Sequence, residues 1–338
     1  MLKKPIISIC IPTYNRDDKV IELVNSILQY KGDEIEVLVL DNSSTDETNS
    51  LFNKIVDNRL SYVRNNENIG GIKNVFKALV IANGEYCFLC LDKDRIKFER
   101  IGDLLDNIKS SDVLFGHCVL NAAEKKTDIF FEKGFPSVYN MSYLAAHPSG
   151  MFYKTEALKN LPVLNQIFNE NKKFGFYAEL INAEMSVLGK SKIINIPAFF
   201  TETKEDCGKI RSFTYTNENE IFFFPSKRSE EFLIYSENLY SLNLTLKEKN
   251  RVLKKIFLKG LLATTVDFKS ILNDISICDH YFIATRKVSL LELIKNDILF
   301  CKNFIKSDLP LSVFFKFYIC VISNMKIICA MIYNKLKK

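Results

Sequence analysis

The sequence predicts an α/β fold with a mostly parallel central sheet, followed by a helical C-terminal region. Three observations predict it. Over the first 120 residues, short apolar runs alternate with helical stripes. The run Tyr86–Leu91 is uninterrupted by polar residues, which marks a strand buried on both faces, and it ends in two carboxylates, Asp92 and Asp94. From about Arg228 onward the pattern is helical and rich in Lys, with no strand signal.

The elements follow in order. Ile6–Ile11 reads as a strand ending at Pro12-Thr-Tyr-Asn-Arg16, and Val20, Leu23, Val24, Ile27 and Leu28 then recur at helical spacing. Ile35–Leu40 is a second strand, stopped by Asp41-Asn-Ser-Ser-Thr-Asp46, a stretch of helix-capping residues. A helix to about Val56 and a short strand Leu60–Val63 come next. Ile72, Val75, Phe76, Leu79 and Val80 give a helical stripe before the Tyr86–Leu91 strand. Phe98, Ile101, Leu104, Leu105 and Ile108 mark another helix, and Val113–Cys118 another strand. Repeated βα units of this size imply a parallel sheet covered by helices. Right-handed crossovers bring the loops Pro12–Arg16, Asp41–Asp46 and Asp92–Arg95 to one edge, where open α/β sheets bind ligands. Residues 119–225 are less regular, with His147-Pro-Ser-Gly150, a strand Met151–Tyr153, a short helix from Thr155 and a stronger one over Ala178–Leu188.

Composition narrows the class. Length suggests two units, taken as residues 1–225 and 226–338. An apolar content of 47% is ample for a core. Nine Cys, an odd number without regular spacing, argue against a disulfide framework, so Cys87 and Cys90 read as core thiols of a reducing compartment. Met1-Leu-Lys-Lys-Pro5 leads directly into a strand of six residues, so no signal peptide is expected and a cytoplasmic protein is. Charge is uneven: residues 245–338 hold 17 Lys and Arg against 7 Asp and Glu, a net of +10, while residues 1–244 carry −4. From Leu309 to Lys338 there are five Lys and no acidic residue, on a helix with Phe314, Phe315, Tyr318 and Ile319 on one face. The longest uncharged stretch, Phe317–Met325, is too short to span a bilayer. A basic, aromatic-rich amphipathic tail over about 309–338 suits the surface of an anionic membrane, and otherwise packs on its own domain or on a partner subunit of a homo-oligomer. Its Lys are interspersed with Phe and Ile rather than set in a stripe tracking phosphates, so no nucleic-acid partner is expected.

An Asp-X-Asp pair at a sheet's carboxyl edge suits a hard divalent cation carrying substrate phosphates, or else a polar turn with Asp94 capping the next helix. Four stretches in order resemble the family 2 glycosyltransferases of bacterial capsule and surface polysaccharide synthesis, which have the GT-A fold. They are Ile7-Ser-Ile-Cys-Ile-Pro-Thr-Tyr-Asn-Arg16, Val39-Leu-Asp-Asn-Ser-Ser-Thr-Asp46, Asn68-Ile-Gly-Gly-Ile-Lys-Asn74 and Gly84 through Asp94. Ser149–Lys154 and Leu188-Gly-Lys190 match more loosely.

The resemblance implies an inverting transferase acting on a nucleoside diphosphate sugar, a UDP-sugar foremost, with a lipid-linked or growing surface glycan as acceptor. It implies that Pro12, Thr13, Asn15, Asp41, Asn74, Asp92 and Lys93 line the donor, Asp41 meeting the base, and that Asp92 and Asp94 hold Mn2+ or Mg2+. The plainer reading of Asp41 is a turn or N-cap residue, a role that Ser43 or Ser44 could equally supply. The family's catalytic base, an Asp at the start of a helix before a Gly-Lys turn, is matched here in place by Glu179, a departure in type. His147 is an acceptor-side or diphosphate contact in this reading and a packed loop residue in the plainer one. Relatives usually carry an Asp where Lys93 stands. Either Asp92 and Asp94 share a face of an extended segment with Lys93 pointing away, or the Lys93 ammonium replaces the metal. A nucleotide-binding scaffold without catalysis is the alternative from another class.

Overall fold

The structure, a computed structural model, describes residues 4–109, 112–119, 127–143, 147–169, 175–201, 221, 223–281 and 283–336. Contacts divide the chain into two units, one of residues 1–173 and 181–213, the other of 174–180 and 214–338.

The first unit opens with β1 (Ile7–Thr13), α1 (Asp17–Ile27), β2 (Ile35–Asp41), α2 (Thr48–Phe52), β3 (Leu60–Arg64), α3 (Gly71–Val80), β4 (Tyr86–Leu89) and β5 (Asp94–Ile96). It continues through α4 (Ile101–Lys109), β6 (Phe115–Cys118), β7 (Ile129–Phe131), α5 (Phe135–Met141), β8 (Met151–Lys154), α6 (Thr155–Lys159) and α7 (Val163–Asn169). Then come α8 (Tyr177–Leu188), whose first turn is assigned to the other unit, β9 (Ser191–Ile194) and β10 (Phe199–Thr201). Eight strands form one sheet in the order β3-β2-β1-β4-β8-β6-β9-β7, and β10 pairs with β5 apart from it. β1, β2, β3 and β4 run parallel, as the βα repeats require, but β8 is antiparallel to both β4 and β6. Every residue of β1 and β2 is buried, which is why their apolar runs do not alternate. The thiols of Cys87 and Cys90 lie wholly inside the sheet, and burial pushes Cys87 up to about 12. They are packed core groups.

Two features aim the sheet's carboxyl edge. β1 stays paired with β4 only through Cys10 and with β2 through Thr13, so β1 and β4 part at their ends and open a crevice at the switch in strand order. Gly150 has φ +93°, and a Cβ there would stand 2.2 Å from the Cys118 carbonyl oxygen. Only glycine lets the 147–150 turn pass so close to β6.

The second unit is helical among its described residues: α9 (Pro225–Ser241), α10 (Leu246–Leu262), a π turn over Ala263–Asp267, α11 (Phe268–Leu272), α12 (Ile275–Tyr281), α13 (Leu290–Lys306) and α14 (Val313–Leu336). A Thr245–Glu248 capping box opens α10, and Ser289 caps α13 by accepting from Glu292 N–H. Phe232, Phe257, Phe300 and Phe304 form its aromatic core with ring centroids 4.8–5.7 Å apart. No described helix is long and apolar enough to cross a membrane. α14 is docked rather than free, since Lys316, Ile319, Cys320 and Ser323 are buried, yet Phe314 and Phe317 on the same helix stand in solvent.

Candidate functional site

The three loops expected at one edge do meet there. The Asn42 N–H donates to the Thr13 carbonyl at 2.9 Å, the Asn15 N–H to Ser44 Oγ at 2.9 Å, and the Thr45 N–H to Asn15 Oδ1 at 2.8 Å. Asn15 (φ 52°) and Ser43 (φ 66°) both take the left-handed conformation, a local strain that such cross-loop bonds hold in place. Pro12, inside β1, has no N–H and sets the exit of that strand.

Asp92 sits between the loops. Its Oδ2 accepts from the Thr13 hydroxyl at 3.0 Å and its Oδ1 from the Arg16 guanidinium at 2.8 Å. Burial still raises its pKa, against the pull of Arg16 and Thr13. Arg16 is the contact that the sequence reading quoted without assigning. A guanidinium beside the first carboxylate is a signal visible only once β1 and β4 are known to be neighbours.

The backbone then departs from the extended course that would put Asp92 and Asp94 on one face. A turn closes at Asp92-Lys93, with the Asp94 N–H donating to the Leu91 carbonyl at 2.9 Å. The carboxylates therefore face different partners. Asp94 Oδ2 accepts from the Ser149 hydroxyl, while its Oδ1 is buried without a hydrogen-bond partner. Such an orphaned acceptor is normally destined for a cation, a water or a ligand hydroxyl. Burial raises the pKa of Asp94, with Ser149 the largest opposing influence.

His147 Nδ1 lies 3.5 Å from Asp94 Oδ2, but this is no ion pair. The same nitrogen accepts the Ser149 N–H at 3.2 Å, and burial with Lys93 nearby pulls the imidazole down to about 4. Above that pH His147 is neutral, its proton sits on Nε2, and it can donate from there. His117, which the sequence did not single out, lies next to this turn on β6. It is buried, pulled to about 4 mainly by burial, and its Nε2 has no partner.

Asp41 is wholly buried at the end of β2. Its Oδ1 accepts from Ser44 N–H (2.9 Å) and Ser44 hydroxyl (2.5 Å), and its Oδ2 from the Tyr62 hydroxyl (2.7 Å) and Arg64 (3.2 Å). The turn-capping role is thus realised, and the face offered beside it is Arg64. Asn74 is buried in α3, donating to the Leu40 carbonyl at 3.1 Å and accepting from Asn65 at 2.8 Å. In this arrangement it fixes the end of β2 and exposes nothing to a donor.

Glu179 is grouped with the second unit. It is buried near Lys255 and Lys259 on α10, whose pKa values burial lowers against the opposing pull of its charge. Glu184, further along α8, is half-buried and accepts the Val163 N–H at the start of α7 (3.3 Å). Among the described residues no three His, Cys, Asp or Glu side chains gather into a metal site.

A mostly parallel sheet with polar, strained loops and two aspartates at its switch point is an α/β domain whose ligand edge is the carboxyl end of the sheet. Comparison narrows the class: residues 8–151 match the family described as Glycosyl transferase family 2. The chain is 38% identical over 89 residues to abequosyltransferase RfbV of Salmonella typhimurium, covering 25% of this chain and 27% of that protein. It is 32% identical over 114 residues to UDP-Glc:alpha-D-GlcNAc-diphosphoundecaprenol beta-1,3-glucosyltransferase WfaP of Escherichia coli, covering 33% and 45%. The matched region thus spans less than half the length of either relative. Among solved structures, TarS of S. aureus in complex with UDP-GlcNAc superposes with a TM-score of 0.54 at 16% identity, over 81% of this chain and 89% of that one. That likeness establishes the GT-A fold with its mostly parallel sheet.

Proposed function

We propose that this protein is an inverting glycosyltransferase. It moves a hexosyl or related sugar from a nucleoside diphosphate donor, a UDP-sugar foremost, to a hydroxyl of a lipid-linked or growing surface glycan, at the cytoplasmic face of the membrane. The observation that carries the reading is the tie of Thr13 and Arg16 to Asp92 beside the open oxygen of Asp94, on a family 2 domain. WfaP, by its name, uses UDP-Glc and a diphosphate-linked lipid acceptor, which supports both halves.

In this reading the acceptor oxygen attacks the anomeric carbon as the bond to the diphosphate breaks, and the hydroxyl proton passes to Glu179. Arg16 and Lys93 carry positive charge at the mouth of the crevice, where the leaving diphosphate gathers negative charge. His147 Nε2–H adds a neutral donor. A divalent ion fits Asp94 better than it fits the pair, because both oxygens of Asp92 are already engaged. Magnesium and manganese sites of this kind use one or two carboxylates plus substrate phosphates, so Asp94 with donor oxygens would suffice. Bound there, the ion would neutralise the departing diphosphate.

A thermal-shift screen of nucleotide sugars with and without chelator tests the reading. A ligand that binds the native state raises the melting temperature. UDP-sugars are expected to stabilise the protein and to be hydrolysed slowly in the absence of acceptor. No shift with any nucleotide sugar would overturn the reading.

A further inference from the structure

We propose that three lysines of α10, Lys255 and Lys259 near Glu179 and Lys254 against the rings of Phe315 and Tyr318 on α14, bind the diphosphate of a lipid-linked acceptor. The assignment rests on the transfer reading above and names the place in the helical unit where the acceptor is held.

Lys255 and Lys259 are four residues apart and share one face of α10. Both stand close enough to Glu179 for its charge to act on them. Even so, burial pulls Lys255 down to about 8 and lowers Lys259, so two ammonium groups are partly withdrawn from water. Cations in that position gain from each further negative charge brought to them, and a diphosphate brings more than a carboxylate does. Compact ammonium groups on flexible stems suit a phosphate-bearing ligand as point charges.

The third cation connects this pair to an apolar surface. Lys254 is exposed, and its ammonium lies 5.2 Å from the ring centre of Phe315 and 5.1 Å from that of Tyr318, both on α14. Among the described residues twenty large hydrophobic side chains are exposed, and twelve of them fall between Leu290 and Ile328 on α13 and α14. Phe314 is 89% exposed and Phe317 59%. A concentration of this kind marks a binding surface rather than scatter. A soluble anionic ligand would need only the lysines, and a neutral lipid only the apolar face. An acceptor with a hydrocarbon chain, a diphosphate and a sugar hydroxyl uses the apolar face, the lysines and Glu179 in turn. The lysines bind and position, and Glu179 alone is placed at the reacting hydroxyl.

The test uses the full chain with UDP saturating the donor site, titrated by calorimetry with farnesyl diphosphate, farnesol or inorganic diphosphate. Farnesyl diphosphate is expected to bind at least about tenfold more tightly than either of the others. Lys254→Glu, at an exposed position that leaves the fold intact, should weaken it about tenfold. Lys255→Ala with Lys259→Ala, checked for folding by thermal melt, should weaken it further. Phe314→Ser with Phe317→Ser should weaken farnesyl diphosphate while leaving inorganic diphosphate unchanged, and none of the variants should alter UDP affinity. Equal affinity for inorganic diphosphate, or no loss in Lys254→Glu, overturns the proposal. So does a concentration-dependent dimer abolished by Phe314→Ser with Phe317→Ser, which would give the apolar face to a second copy of the chain. Failure of the wild-type protein to bind UDP overturns the transfer reading instead, and is read in a separate titration.

Discussion

The two units treat buried charge in opposite ways. At the sheet's carboxyl edge the carboxylates are matched by short polar contacts: Asp41 by Ser44, Tyr62 and Arg64, and Asp92 by Thr13 and Arg16. At the other end of the sheet Glu36 is held the same way by Ser8, Ser61 and Asn83. One buried oxygen in the crevice, Asp94 Oδ1, is left over. In the helical unit, Glu231 on α9 has both oxygens buried without a hydrogen-bond partner, and burial pushes it up to about 8 against the pull of Arg228 and Lys227. That unit also holds most of the exposed apolar side chains. The carboxyl edge of the first unit is a polar frame of paired carboxylates that leaves Asp94 Oδ1 without a hydrogen-bond partner among the described residues. The second is built around apolar packing, with a carboxyl that burial pushes toward its neutral form inside and exposed apolar side chains outside.

The largest effect that could break this contrast belongs to Asp94. Asp94→Asn keeps the shape but removes the charge, and transfer should fall by about 10³-fold or more, the scale of lost electrostatic stabilisation. The melting temperature should stay near that of the wild type, because the charge being removed is partly uncompensated. Steady-state rates alongside a melt check both, and a fully active variant would show the orphaned oxygen to be a packing accident.

Glu179→Gln comes next. Transfer should drop about 10²–10⁴-fold, the range for a lost general base, while UDP affinity is kept. Turnover close to that of the wild type would remove Glu179 from the mechanism.

Glu231→Gln probes stability in the helical unit. A carboxyl whose folded pKa is about 8 and whose unfolded value is near 4.5 binds its proton more tightly in the native state. Its contribution is complete below about pH 4.5 and is lost as pH rises toward 8. The wild type should therefore lose on the order of 2 kcal/mol or more across that window relative to Glu231→Gln. Denaturant titrations at pH 5 and pH 8.5 read the difference, and parallel curves for the two proteins would mean that Glu231 is solvated.

The smallest effect concerns the outer face of α14. Truncation before this helix would uncover the packing of Ile319 and Cys320, so surface substitution is the cleaner probe. Phe314→Ser with Phe317→Ser should weaken binding to vesicles containing anionic lipid by about tenfold. Binding of the unaltered chain should also weaken as salt rises, since part of it is screened electrostatics. Salt-insensitive binding would leave only the apolar contribution.

Much of the frame was legible in the sequence. Strand and helix positions came from periodicity, because alternation and helical spacing are local and a fully buried strand announces itself as an unbroken apolar run, as in Ile7–Thr13, Ile35–Asp41 and Tyr86–Leu89. The meeting of the Thr13, Asp41 and Asp92 loops also followed from the sequence, since the hand of parallel crossovers leaves one edge for all of them. Which atom meets which was decided only by the tertiary structure. Nothing near Asp92 in the chain reveals that Arg16, 76 positions away, will bind it, because that pairing depends on β1 and β4 lying side by side. The turn at Asp92-Lys93 gives two carboxylates that alternation alone would treat alike different hydrogen-bond partners. Likewise nothing in the local sequence shows that Glu184 will accept the Val163 N–H at the start of α7, or that His117 will be buried next to the 147–150 turn. Local sequence fixes where the backbone hydrogen bonds go; the partners of buried side chains follow from strand order and loop closure, which join residues far apart in the chain.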